Sequence, residues 1–202
     1  MQMSKHERRR YLSAYTKLTT STKFKPMYEK FVYIHFKYFC YGIHQKDMFL
    51  PWHRLYVLQM ENLLRQIDCR ITLPYWDWSL VGNHPWNRSG IWRETDDGLG
   101  GNGRRSHGFC VETGLFRQGK WSTPFYNDAL DIVMSTMDLF EKMKSKDVVP
   151  DLSDCLRRYF FGTLPDEVYL RKSLEFPPEK FEDFDVNVRI NYHDRIHNAI
   201  GK

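Results

Sequence analysis

Two histidines, His44 and His53, stand at the two ends of a short segment in the first third of the chain. The residues between them, 45–52, include Pro51, which makes the backbone rigid and is expected to end any helix before it. They also include aromatic side chains that supply an apolar wall. A neutral imidazole in such a dry setting is a good copper or zinc ligand. We therefore interpret this stretch as half of a metal site, with His35, on the preceding predicted helix, as its third ligand.

A second histidine pair lies near the other end of the sequence, at His193 and His197. Residues four apart share one face of an α-helix, so both imidazoles could bind one ion. Such pairs also arise by chance on solvated helices, and this pair alone would favour that simpler explanation. The first segment shifts the balance toward a metal site built from both halves of the chain.

The composition limits the kind of protein that must position these histidines. The chain has 202 residues, enough for one domain with a sizeable core. Its net charge of +5 comes from scattered Lys and Arg rather than a dense basic stripe, so we expect no nucleic-acid partner. No apolar run approaches the length of a membrane span.

The spacing of apolar residues predicts a mostly helical domain. We find no alternation of strands and helices and no repeat of the kind that builds a solenoid. Ser4 and Glu7 have the spacing of a capping box, and Glu61 and Arg54 are expected to anchor their helix rather than bind metal. A long glycine-rich loop over 79–123 is expected to be packed by its own aromatic side chains. Helices are predicted at 5–18, 27–40, from near His53 to Asp68, 127–144, 153–161, 167–174 and 183–199, with an extended buried segment at 71–78.

The run from His44 to Glu61 reads H-x4-F-L-P-W-H-R-x2-V-x3-E. It resembles the first copper-site signature of the type-3 copper proteins, which include tyrosinases, catechol oxidases and molluscan haemocyanins. Residues 73–78, L-P-Y-W-D-W, resemble the block just downstream in that family. His193-x3-His197 resembles the helix that supplies the first two ligands of the second copper. The loops between resemble those of animal tyrosinase-like proteins.

This resemblance implies a mainly α fold, a helix bundle around a binuclear copper site with long loops outside it. His35, His44 and His53 would then hold one copper ion, and His193 and His197 would hold the other. In the family, the third ligand of the second copper lies on a following helix. Residues 1–202 are therefore expected to be one tyrosinase copper-binding domain that is incomplete at its C-terminus.

The resemblance also implies an activity, the oxidation of diphenols to o-quinones with O2, acting on a small phenolic substrate. Family members that hydroxylate monophenols often have Asn directly after the first ligand of the second copper. This chain has Asp194 there, so diphenol oxidation is the expected activity and Asp194 a modulator of it. Haemocyanin-like O2 binding, an inactive structural or matrix protein with the same fold, and zinc at the three-histidine group are the alternatives.

The cysteines and one sequon indicate the compartment. Cys110 and Cys155 flank loop-rich regions and could pair in an oxidising compartment. Asn87-Arg88-Ser89 is a possible glycosylation acceptor. The N-terminal residues contain no apolar segment of a signal peptide. We therefore expect a secreted or secretory-pathway parent protein whose signal peptide is not part of this sequence, with no prediction for the oligomeric state.

Overall fold

The structure is a computed structural model, and it describes residues 3–39, 42–44, 47–81, 86, 90–121 and 155–201. The first part of the chain forms three helices, α1 (Lys5–Thr20), α2 (Lys25–Tyr38) and α3 (Phe49–Arg65), which all contact one another. This arrangement confirms the predicted mainly helical fold. Within the described residues no helix is both long and apolar enough to cross a membrane.

Helix α1 begins where the sequence predicted it, because its first turn carries its own cap. The Ser4 hydroxyl accepts a hydrogen bond from the Glu7 amide, and the Glu7 carboxylate accepts one from the Ser4 amide. This capping box satisfies backbone donors that would otherwise lack partners. One face of the helix then buries Leu12 and Leu18 in the core. The other buried members of that core cluster are Ala14, Phe24, Tyr28, Met60, Leu64, Ile71, Leu115, Phe116 and Trp121.

Helix α3 begins at Phe49, earlier than the predicted start near His53. The predicted stop at Pro51 is wrong, because Pro51 lies in the first turn of α3. Amide groups of the first turn have no carbonyl partner inside the helix, so a missing N–H costs little there. The Trp52 amide already donates to the Met48 carbonyl at 2.9 Å. His53 is therefore fixed within a formed helix rather than at its edge.

The segment after α3 is only partly buried, which corrects the prediction of a buried stretch over 71–78. Ile71 packs in the core, whereas Tyr75 is 82% exposed. The Glu61 carboxylate accepts a hydrogen bond from the Leu73 amide at 2.8 Å, and Arg65 lies 3.8 Å from its other oxygen. Glu61 thus anchors this segment to α3, a role that the expected association with Arg54 did not foresee.

The described part of the long loop contains short 3₁₀ turns at Trp78–Val81, Gly90–Trp92 and Arg105–His107. Its aromatic side chains pack on one another, as predicted: the rings of Trp86 and Trp92 lie 6.3 Å apart, and Phe116 meets Trp121 edge to face. Both tryptophans also contact Phe160, which lies outside the loop. The loop is also tied by a disulfide between Cys110 and Cys155, whose Cα atoms are 5.6 Å apart. The pairing considered from the sequence is therefore present.

The prediction of a short helix over 153–161 is wrong for the described residues of that range. Residues 155–161 run extended, and Arg157 pairs with Cys110 in an isolated antiparallel bridge. Hydrogen bonds to the distant loop replace the local helical ones. The predicted helix at 127–144, the sequon at Asn87 and the thiol of Cys40 lie outside the described residues.

The C-terminal part consists of α4 (Glu167–Ser173), a 3₁₀ turn (Pro178–Lys180), and then a long helical run. That run comprises α5 (Phe181–Val188), a π-helical turn (Arg189–Asp194) and α6 (Arg195–Ile200). Helix α4 matches the helix predicted at 167–174. The long helical run matches the helix predicted at 183–199, except for the π-helical turn. The π-helical turn contains His193, and α6, which follows it, contains His197.

Candidate metal centre

Three structural elements bring His35, His44 and His53 together. His35 projects from α2, His53 from α3, and His44 from the short connection between these helices. Each of the three offers one ligand atom such that these atoms all lie within 4.8 Å of one another. In the part of the chain that the structure describes, this is the group of His, Cys, Asp and Glu side chains with the geometry to hold a metal ion.

Backbone geometry fixes the tautomer of His53. Its Nδ1 atom lies 2.8 Å from the Phe49 carbonyl oxygen, one helical turn earlier. A carbonyl only accepts hydrogen bonds, so Nδ1 carries the proton and Nε2 keeps its lone pair. That Nε2 atom lies 3.2 Å from Nε2 of His44. The helix therefore aims a ligand atom at the centre of the group before any ion binds.

His44 is the most buried of the three, with 8% of its surface exposed. Its Nδ1 atom is buried and has no hydrogen-bond partner among the described residues. The nearby Phe39 backbone favours the charged form of the ring but lacks hydrogen-bonding geometry to this atom. A buried polar atom without a partner is costly in a purely structural histidine. The arrangement of these rings is better explained by a ligand that they share.

Aromatic side chains surround the group and limit its contact with water. Trp52 stacks on Tyr56, and the Tyr56 hydroxyl donates to the Phe31 carbonyl at 3.1 Å. The rings of Trp52 and Tyr56 lie 5.5 and 5.2 Å from that of His35. On the other side, Phe49 lies 4.6 Å from the His53 ring. This shell keeps the histidine rings in fixed orientations.

The surroundings keep the three imidazoles neutral at pH 7. Burial lowers the pKa of His35 to about 4, and its two neighbours in the group add to the shift. Burial likewise lowers the pKa of His44 to about 4, followed by the effects of His53 and His193. The pKa of His53 is lowered by burial and partly restored by the Phe49 carbonyl. Neutral imidazoles bind metal, so the group fits a copper or zinc ion.

The second pair lies directly beside the first group. The His193 ring is 5.2 Å from that of His44, 5.3 Å from that of His53 and 4.5 Å from that of His197. The Asp194 carboxylate accepts a hydrogen bond from Nδ1 of His193 at 2.8 Å. This contact keeps the proton on Nδ1 and leaves Nε2 of His193 with a free lone pair. His197 as a residue is exposed to solvent. Partial burial of its ring nevertheless lowers its pKa, and the neighbouring His193 lowers it further.

All five histidines named from the sequence thus lie in one continuous cluster of rings. The sequence did not point to the Phe49 carbonyl, because a backbone acceptor leaves no mark in residue type. It also did not point to Phe39, whose ring lies 4.7 Å from that of His44. An aromatic residue beside the apolar stripe of a helix is indistinguishable from a core residue, so no sequence signal could have identified it.

The lowered pKa values predict how the metal-free protein responds to acid. The native state binds fewer protons than the unfolded chain between the ordinary histidine pKa of 6.5 and about 4. Its stability is therefore fully present above pH 6.5 and declines as the pH falls through this window. Chemical unfolding at pH 7 and pH 4.5 should show a loss of at least about 1 kcal/mol from these two groups. In a His35→Gln variant the loss should be smaller, and an equal loss in that variant would contradict the assignment.

Comparison with known proteins agrees with this geometry. The relatives include grixazone synthase of Streptomyces griseus, 35% identical over 59% of this chain and 39% of its own. They also include a tyrosinase of Streptomyces lincolnensis, 42% identical over 39% of this chain and 27% of its own. A tyrosinase-like protein of Caenorhabditis elegans is 38% identical over 44% of this chain and 12% of its own.

The matched segments therefore span well under half of each of these relatives. The common central domain of tyrosinase matches residues 25–202, a range that contains every histidine of the cluster. With its helical fold and its clustered imidazoles, the chain belongs to the tyrosinase family of type-3 copper proteins.

Proposed function

We propose that this chain is the copper-binding part of an enzyme that oxidises diphenols to o-quinones with O2. The observation that carries the proposal is the neutral three-histidine group with a second histidine pair in ring contact with it. His35, His44 and His53 would hold one copper ion, and His193 and His197 would contribute to a second. The relatives named tyrosinase support copper rather than zinc. When bound, copper supplies the transfer of electrons from the phenol to O2.

The residues of this chain would hold the ligands, limit water around them and fix the protons on the ligand rings. The aromatic shell of Phe49, Trp52 and Tyr56 holds the ligands and limits water around them. The Phe49 carbonyl and the Asp194 carboxylate hold protons on the Nδ1 atoms of His53 and His193. Both contacts keep the opposite ring nitrogen free as a ligand, which is the usual role of such hydrogen bonds around metal sites.

The wider protein follows from the same proposal. The disulfide between Cys110 and Cys155 supports an oxidising, secretory compartment. The family resemblance implies a third ligand for the second copper in addition to His193 and His197. We therefore assign residues 1–202 to one copper-binding domain. Its substrates would be small phenols and O2.

The test is oxidation of catechol by the copper-loaded full chain. We expect O2 consumption and quinone formation with copper, and neither after loading with zinc. Catechol oxidation that is absent despite two bound copper ions would favour O2 carriage instead. Retention of no copper would favour a structural protein with the same fold.

Asp194 gives a prediction about the choice of phenol. A carboxylate only accepts hydrogen bonds, whereas an Asn side chain can accept from His193 and also donate to a water near a bound monophenol. Asp194→Asn should therefore raise the ratio of monophenol to catechol oxidation, on the order of tenfold. Asp194→Ala, which cannot hold His193, is the matched control and should not raise that ratio. Equal ratios in the Asn variant and the wild type would contradict the role of Asp194.

A further inference from the structure

Residues 155–163 form an extended segment, here called the strap, that lies between the long loop and the C-terminal end of α6. Its backbone amides alternate between these two partners. The amides of Arg158 and Phe160 donate to the Phe109 carbonyl and the Asn102 side chain, at 2.9 and 2.6 Å. Those of Tyr159 and Phe161 donate to carbonyls of α6. The strap therefore joins two regions, in the way that an inner strand of a sheet joins its neighbours.

On the loop side, Arg158 holds the strap in place. Its side chain is buried, with 5% of the residue exposed, and Nη1 donates to the carbonyls of Leu99 and Gly100 at 2.7 and 2.8 Å. The guanidinium also lies over the Trp92 ring, 5.0 Å from its centre. Among the described residues no carboxylate pairs with it. Its burial lowers its pKa to about 10, which still leaves it charged at neutral pH.

On the helix side, the strap supplies partners to the last carbonyls of α6. The Tyr159 amide donates to the Ile200 carbonyl and the Phe161 amide to the Ala199 carbonyl, both at 3.2 Å. Carbonyls in the last turn of a helix have no partner within that helix, so the strap acts as its cap. The Arg195 side chain adds a contact, because its Nε donates to the Thr163 carbonyl at 2.8 Å. Arg195 lies between the two histidines of the second pair.

We propose that Arg158 is a positioning residue for the second half of the metal centre and acts through the strap. It fixes the strap to the disulfide-bonded loop, and the strap fixes the end of α6, which carries His197 and follows His193 directly. A buried cation held by neutral carbonyls costs free energy, so a purely apolar contact would hold the loop with less penalty. The hydrogen bonds of Arg158 instead fix the strap in one position relative to the long loop. The proposal concerns the metal site of the proposed function, but the coupling itself exists without metal.

Hydrogen exchange in the metal-free full chain tests this coupling independently of copper. In Arg158→Met the loop loses two charge-assisted hydrogen bonds, and amide exchange over 156–163 and 195–201 should accelerate about tenfold. Exchange in α1, α2 and α3 should stay unchanged. Arg158→Lys keeps the charge and one donor direction, so it should restore part of the protection. Equal acceleration in α1–α3, or none over 195–201, would overturn the proposal.

A second variant and a control keep the test sharp if Arg158→Met folds poorly. Arg195→Met removes the side-chain contact with Thr163 at the surface and should accelerate exchange over 195–201 about threefold. Arg104→Met is the control, because Arg104 belongs to the same loop but pairs with Glu112 and has a side chain 66% exposed. It should leave 195–201 unchanged. If Arg104→Met accelerated exchange over 195–201 as much as Arg195→Met, the proposed coupling through the strap would be contradicted.

Copper binding provides a separate readout for the centre itself. Titration of the full chain with Cu(II) should show that Arg158→Met weakens binding of the second equivalent about tenfold and leaves the first unaffected. Equal weakening of both equivalents would contradict a specific effect on His193 and His197. If the wild type binds no Cu(II), the proposed function fails, and the exchange measurement still decides whether Arg158 positions the helix.

Discussion

Replacement of His53 by Gln should lower the affinity of the chain for its first Cu(II) ion by at least about a hundredfold. The His53 ring is fixed in α3 by the Phe49 carbonyl, and its Nε2 atom points at His44. Gln offers an amide oxygen at a different distance and is a weaker ligand for copper than an imidazole. Competition titration of Cu(II) against a chelator of known affinity measures the change.

The control for this variant is the same substitution at an exposed histidine. His107 has a side chain 53% exposed and pairs with Glu112 in the long loop, away from the cluster. His107→Gln should bind Cu(II) as the wild type does. Circular dichroism should show that both variants keep their helices. If His53→Gln kept wild-type affinity, copper would bind elsewhere, and the assignment of the first site would be wrong.

Gly100→Ala should destabilise the protein by at least about 3 kcal/mol. Gly100 has a φ of +83°, and an added Cβ would lie 2.2 Å from the Thr113 carbonyl oxygen. The Gly100 carbonyl also accepts from Arg158, and the Gly100 amide donates to the Arg93 carbonyl at 3.0 Å. The backbone would have to move, and the contacts that hold the strap would move with it. Chemical denaturation measures the free energy of unfolding.

Gly119 separates the two causes of this expected loss of stability, which are backbone strain and the clash of the added Cβ. Its φ of +82° is nearly the same, but no described atom lies within 4 Å of the added Cβ. Gly119→Ala should therefore cost only the strain of the left-handed backbone, about 1 kcal/mol. A similar loss in both variants would show that close packing at Gly100 does not matter.

Local signals explain what the sequence predicted well. The capping box of Ser4 and Glu7 closes within one helical turn, so both partners are visible in four residues. The histidines of the first group were recognisable because a specific motif surrounds two of them. The start of α3 was misplaced only because a proline was interpreted as a stop, although the first turn of a helix tolerates it.

Contacts between distant residues explain what the sequence could not show. Most of the strap was predicted as a helix, but its backbone amides pair with Asn102, Phe109 and the end of α6, which are all distant in sequence. Such partners decide between helix and strand without any local mark. The π-helical turn that contains His193 likewise has no residue signature. The contact between the two histidine segments was predicted, but the ring distances within it needed the folded chain.

The electron paramagnetic resonance spectrum of the full chain loaded with one equivalent of Cu(II) tests the central claim most directly. If His35, His44 and His53 hold the ion, the spectrum should show superhyperfine splitting from three imidazole nitrogens. The same splitting should be reduced in His53→Gln and unchanged in His107→Gln. A spectrum of copper bound mainly through oxygen, or one that His53→Gln leaves unchanged, would contradict the assignment of this group as a copper site.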